Sequence, residues 1–428
     1  MNRQILRLAL PNIVTNITVP LLGIVDLALM GHLDSPVYIG AIALGGTIFN
    51  IIYSSFVFLR MGSTGLTAQA FGAGNREEVA LILQRSLMVA FALSVLLISL
   101  MYPIQWVAFQ LLDGSQEVKF FARQYFYIRI FAAPATLGLY ALYGWFLGVQ
   151  NSIIPMAIAI TVNVVNIALN FLFVIGLGMK SDGVALATVL AQYSGLALAL
   201  FFFFRKYKAY QIKFPFKKIA ERVALIRFFK VNTDLFIRTL LFLMVLAMFI
   251  SHSAEQGDIL LAVNTLLFQL FYFFSYFADG FAFAAEALTG KAKGARNKKE
   301  LKTVIKDVFK WSLGIAVVFT VIYGVGLDVI IKGFTTDELV RSYARIYYPW
   351  VIVIPLISIG AFTWDGIYIG LTSTKAMRNI GIVVSLFVFL PAYYLTRGFW
   401  GNHALWFAFD LFMFTRSLGM WIMAKKQL

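Results

Sequence analysis

The chain has no cysteine, which excludes disulfides, thiolate chemistry and cysteine metal sites. Charged residues are scarce at 13%, against about 25% in soluble proteins, and acids are scarcer still, 20 against 36 basic residues. Histidine occurs three times, as His32, His252 and His403, each expected in a short solvated break. No glycine-rich nucleotide loop with a following lysine, no metal-ligand cluster and no nucleophile triad is present, so ATP is not the expected energy source and no cofactor is expected. What is abundant is hydrophobic sequence: 61% of the 428 residues, with a mean hydropathy of +0.82.

Apolar runs long enough to cross a bilayer, about 20 residues each, recur twelve times. The expected spans are 5 to 30, 37 to 70, 79 to 110, 118 to 149, 153 to 177, 183 to 205, 225 to 252, 258 to 290, 301 to 331, 340 to 371, 377 to 396 and 403 to 424. The expected fold is an all-α integral membrane protein of twelve transmembrane helices in two pseudo-symmetric six-helix bundles. The first run is too long for a signal-peptide core and lacks a small-residue cleavage site, so it is expected to stay as helix 1.

The net charge of +16 would fit nucleic acid, but its distribution points to a bilayer. Arg3, Arg7, Arg76, Arg85, the segment from Arg205 to Lys230, the run from Lys291 to Lys299, Lys375, Arg378, Lys425 and Lys426 fall on one side of the span map. Asp34, Asp113, Glu117, Asp182, Glu255, Asp258, Asp337 and Glu338 fall on the other. The positive-inside rule then puts both termini in the cytoplasm of a multi-pass inner-membrane protein, with no nucleic-acid partner expected.

The basic break RKYKAYQIKFPFKKIAER lies at the midpoint of the spans. It divides the chain into an N-terminal lobe 1–206, a linker 207–224 and a C-terminal lobe 225–428. TAQAFGAGNREE from Thr67 matches TGKAKGARNKKE from Thr289 at an offset of 222. FARQYF from Phe121 matches YARIYY from Tyr343, and Gly138, Gly144 and Gly148 match Gly360, Gly366 and Gly370, again at 222. Six helices separate the copies, so the repeats are parallel, an arrangement in which transporters carry substrate between two halves.

Ionisable groups within spans need a partner or a wet cavity and are functional candidates for that reason. Asp26 sits in VPLLGIVDLALMG, where an isolated acid costs roughly 2.5–3.5 kcal/mol. Asn12, Asn16, Gly23, Asp26 and Met30 share one helix face by spacing. Asn163, Asn166 and Asn170 share a face of helix 5, and Thr188 follows on helix 6. They read as a coupling site with Asp26, or as hydrogen-bonded glue between helices. Pro11 and Pro20 bracket the stripe and favour bending of helix 1. Asp234 and Arg238, four apart, are expected to pair along helix 7. Glu286 is expected to be solvated, and Asp279 and Asp365 to line the second lobe. The run FQLFYFFSYF covers every face of helix 8, so most of it must touch lipid or neighbouring helices.

Several stretches together carry a family resemblance over nearly the whole chain: ALPNIVTNITVPLLGIVDLALMGHLDSPVYIGAIALG, FLRMGSTGLTAQAFGAGN, GWFLGVQ, NVVNIALN, DGFAFAAEALTGKAKGAR, DGIYIGLTSTKAMRN and GNHALWFA. The chain resembles the multidrug and toxic compound extrusion (MATE) transporters, in particular their DinF-like branch. The resemblance implies export of small-molecule drugs or toxins by alternating access, driven by protons or sodium; a monomer is a separate expectation. Pro11 and Asp26 match the family's helix-1 proline and acid, and Asn166 and Thr188 its first-lobe polar cluster. Asn170 stands where many relatives carry Asp, which leaves Asp26 without a second carboxylate on helix 5 and favours protons over sodium. A flippase of a lipid-linked precursor is the competing reading, with Arg60, Arg129 and Arg238 able to meet phosphates; a non-transporting receptor or scaffold is a third.

Overall fold

A computed structural model describes residues 1–30, 35–212 and 215–427, and for 19–30, 216, 426 and 427 the backbone alone. Each apolar run becomes a helix, because a backbone surrounded by lipid must satisfy its hydrogen bonds internally. Helix α1 is Asn2–Met30, continuous across Pro11 and Pro20. Eleven further helices among the described residues have the length and composition of membrane spans. They are α2 Pro36–Gly72, α3 Arg76–Ser99, α4 Gln116–Gly148, α5 Ile153–Gly176, α6 Ser181–Lys206, α7 Arg222–Glu255, α8 Asp258–Gly294, α9 Lys298–Phe334, α10 Glu338–Gly370, α11 Thr374–Trp400 and α12 Asn402–Lys425. The expected third span breaks after Ser99 and continues as a short helix, Met101–Leu111.

The chain is thus an all-α membrane protein, with eleven candidate spans beside α1 among the described residues, and the repeat governs its geometry. The first residues of α2, α3 and α4, namely Pro36, Arg76 and Gln116, lie 222 positions before those of α8, α9 and α10. Asn75 caps α3 by accepting from the Glu78 amide at 3.0 Å, and Asn297 caps α9 from Glu300 at the same distance. Ends match too: Gly74 and Arg296 turn the chain at φ 71° and 54°, and Gln150 and Thr372 at 67° and 49°.

Packing repeats with the register. A Cβ at Gly144 would overlap the Arg60 carbonyl across the α2–α4 contact, and one at Gly366 the Ala282 carbonyl across α8–α10. Gly148 meets Thr67 and the Thr64 carbonyl, as Gly370 meets Thr289 and the Glu286 carbonyl. Small residues let backbones approach closely where lipid supplies no hydrophobic drive between helices.

The described residues form two compact units. One comprises Val14–Phe229; the other joins Met1–Ile13 to Lys230–Leu428. In the first, Arg85, 2% exposed, binds the carbonyls of Lys218 and Ile219 and the Glu78 carboxylate at 2.8 Å, fastening the basic segment after α6 to α3. In the second, Phe249, Phe268, Phe271, Phe274, Trp406 and Phe409 make an aromatic core, while Phe273 on the opposite face of α8 is exposed.

Three expectations need correction. His252 is 7% exposed and stacks on Tyr393 at the end of α7, with Nδ1 3.0 Å from Glu255, and the His403 ring accepts from Trp350 in α10 at 3.0 Å. Helix α7 runs three residues past its expected end, to Glu255, and covers the His252 ring, while His403 is half-buried; His32 lies outside the described residues. Glu286 is 1% exposed, because α8 continues to Gly294 and α10 crosses it there.

Candidate functional site

Helix α5 presents its asparagines as a hydrogen-bonded series. Asn170 Nδ2 donates to Asn166 Oδ1 at 2.8 Å, Asn166 Nδ2 to Thr188 Oγ1 of α6 at 3.2 Å, and Thr188 to the Val184 carbonyl at 3.0 Å. Asn166 and Asn170 are 1% and 0% exposed. One turn earlier, Asn163 donates across to the Thr18 carbonyl of α1 at 3.1 Å. A carbonyl inside a helix normally serves its own ladder, and the extra bond here ties α5 to the segment of α1 between the two prolines. From Phe171 to Gly176 α5 loosens into a π-helical turn, as α11 does at Ser385–Phe389, a feature frequent at functional sites.

On α1, Asn12 is buried and donates to the Leu8 carbonyl at 2.8 Å, and Pro11 and Asn16 are half-buried. Asp26, Pro20 and Met30 belong to the helix, but their side chains lie outside the described residues.

The second repeat differs in kind at the corresponding positions. Asp234 and Arg238 stand 222 positions after Asn12 and Asn16, so a neutral polar stripe in one repeat is an ionic one in the other. The expected pairing of Asp234 with Arg238 is not made. Asp234 accepts from Arg378 at 2.6 Å and from Thr374 at 3.0 Å, while Arg238 pairs with Asp365 of α10. Arg416 of α12 joins the same oxygen of Asp365, and Asp279 lies close enough to Arg416 to act on its charge. Two arginines against two acids leave this cluster balanced, and a buried side chain is claimed by partners on neighbouring helices before one along its own surface. Asp410 of α12, 4% exposed and with no partner on either carboxylate oxygen among the described residues, is a further buried acid. No group of residues able to hold a metal ion occurs among the described residues.

This architecture has known counterparts. The MatE family model matches residues 11–172 and 235–394, once in each repeat. The chain belongs to the MatE family. Within it, the chain is similar to DNA damage-inducible protein F of Escherichia coli, 37% identical over 419 residues that cover 98% of this chain and 91% of that protein; this places it in the DinF-like branch. It is also similar to the probable multidrug resistance protein NorM of Thermotoga maritima, 24% identical over 89% of this chain and 80% of that one. A crystal structure of a MATE protein in a bent conformation superposes with a TM-score of 0.90 at 17% identity, covering 99% of this chain and 94% of that one. The straight conformation gives 0.89 at 18%, covering 100% and 96%. The MatE fold of this chain, two repeats of six membrane helices, therefore rests on both sequence and structure.

Proposed function

We propose that this MatE-family transporter exports amphipathic, often cationic, toxic compounds across the bacterial inner membrane by alternating access, in exchange for protons that bind and leave Asp26. The observation that carries the reading is the buried series Asn170, Asn166 and Thr188, joined to α1 through Asn163 and Thr18. Helices α1 and α5, both odd-numbered spans, run in the same direction. Eight residues beyond Thr18, about 12 Å along the axis, Asp26 comes level with the region of Asn170.

A carboxyl group within a membrane is in general favoured as the acid by desolvation and as the carboxylate by hydrogen-bond donors. A change in the bend of α1 between Pro11 and Pro20 shifts the balance, which ties proton occupancy to conformation. The solved relatives in straight and bent conformations support such a transition. Asn170 is neutral, so Asp26 has no helix-5 carboxylate with which to cage a sodium ion, and a proton is the favoured coupling ion. One charge crossing about 150 mV releases roughly 3.5 kcal/mol, enough for a concentration ratio of a few hundred.

The experiment is replacement of Asp26 by Asn. Resistance conferred on a drug-sensitive host and drug-driven proton flux should both vanish at unchanged membrane abundance. Retained drug-driven flux would refute the role of Asp26.

A further inference from the structure

Where α8 and α10 end and α9 begins, a cavity of about 390 Å³ is lined by Lys293, Arg296, Lys298 and Lys302. No acid lines it among the described residues, and by spacing Glu300 and Asp307 fall on the opposite face of α9. Lys293 donates to the Leu371 carbonyl just past α10, which holds its ammonium beside the cavity. Three of the four cations have no counterpart in the first repeat, where Phe71, Gly74 and Ala80 stand 222 positions earlier. Arg296 turns the chain at φ 54°, in the left-handed region, where its counterpart is a glycine. A side chain kept at such a position costs conformational energy, and here that side chain lines the cavity.

The same face of α9 continues along the helix as an apolar groove. Lys298, Leu301 and Lys302 line the basic cavity, and Ile305 and Phe309, at further steps of three and four, line a second one of about 600 Å³. Trp364, seven residues before Leu371, borders it from α10, and Leu418 and Trp421 border it from α12. Lys425, one turn beyond, places its ammonium 3.6 Å from the Trp421 ring centroid, at the same end of the bundle as the four cations.

The first repeat fills the equivalent place with its own side chains. Asn151, the counterpart of Ser373 at the basic cavity, donates to Tyr207 Oη at 2.9 Å. Trp145 donates to the carbonyl of Val79, the counterpart of Leu301, at 2.8 Å and is flanked by the rings of Tyr207 and Tyr210. The second repeat instead leaves a groove that is cationic at the helix ends and apolar along the span. A phospholipid presents the same order of chemistry, and clustered Lys and Arg at the end of a membrane helix select an anionic head group.

We propose that this groove binds one anionic phospholipid, its phosphate among Lys293, Arg296, Lys298 and Lys302 and an acyl chain along Ile305, Phe309 and Trp364. The site requires neither the coupling ion nor the exported compound of the proposed function, so it stands or falls separately from the role of Asp26.

The test is native mass spectrometry of the full chain in detergent, titrated with dioleoylphosphatidylglycerol or dioleoylphosphatidylcholine. Phosphatidylglycerol should bind about tenfold or more tightly than phosphatidylcholine. At about a fivefold loss per cation, Lys302→Gln should weaken phosphatidylglycerol about fivefold and Lys298→Gln with Lys302→Gln about twentyfold, with phosphatidylcholine unchanged. Lys299→Gln, the same charge change off the groove, should leave binding within about twofold. Ile305→Trp, which narrows the apolar section and alters no charge, should weaken phosphatidylglycerol severalfold. The three lysines are exposed, so their variants keep the fold. Equal losses in Lys299→Gln and Lys302→Gln would overturn the proposal in favour of diffuse surface charge, and unchanged binding in Ile305→Trp would overturn it as well. So would displacement of the lipid by glycerol phosphate as readily as by phosphatidylglycerol, which would assign a site for small phosphates.

Discussion

At Asp365 two guanidiniums, from Arg238 on α7 and Arg416 on α12, converge on one carboxylate oxygen of a residue 7% exposed. Removing that charge leaves two like charges buried together, and breaking a buried pair from one side costs about 3–5 kcal/mol. Asp365→Asn is therefore expected to lower the thermal unfolding midpoint in detergent by many degrees, whereas Asp328→Asn, whose partner Arg345 is exposed, should leave it nearly unchanged. The sequence made the participants in these ion pairs visible, since acids and arginines stand out in apolar spans. It did not show the partners. Spacing of four along α7 pointed Asp234 at Arg238, but Arg378 and Asp365 reach those groups from other helices, and only tertiary packing selects among such candidates.

Helix pairs α2–α4 and α8–α10 are the elements on which each repeat closes, and their glycines were legible in sequence as a conserved register of 222 positions between Gly144 and Gly366, and between Gly148 and Gly370. What the register could not convey is the reason, which is backbone-to-backbone approach. A methyl group at Gly144 or Gly366 must push a neighbouring carbonyl away, with a cost of about 1–3 kcal/mol for overpacking. Gly144→Ala and Gly366→Ala are expected to reduce folded yield and thermal stability to similar extents, measured by size-exclusion monodispersity after graded heating. Gly314→Ala, with open space around the added Cβ, should be neutral or slightly stabilising, since alanine favours the helix by about 0.8–1 kcal/mol. Equal losses at all three positions would contradict the close-packing account. The π-helical turn of α5 had no warning in composition or spacing.

Across the whole molecule the span map was largely legible, because each helix is defined by a long apolar run and most ends fall within a few residues of those expected; α8, for example, starts at Asp258 as expected and runs four residues past the expected end, to Gly294. Histidines at helix ends and Glu286 were misjudged because hydropathy locates the bilayer and not the neighbouring helix that covers a polar group. The repeat shows two halves of one design with different interiors: hydrogen-bonded amides on α5 and α6 in one unit, balanced ion pairs from Asp234 to Arg416 in the other. That asymmetry is why the account places proton exchange in the first half and a largely structural charge network in the second. The most direct test is substrate export from proteoliposomes in which a pH gradient and a sodium gradient are imposed one at a time. Export is expected under the pH gradient alone and is expected to be lost in Asp26→Asn. Export driven by the sodium gradient and indifferent to pH would contradict it.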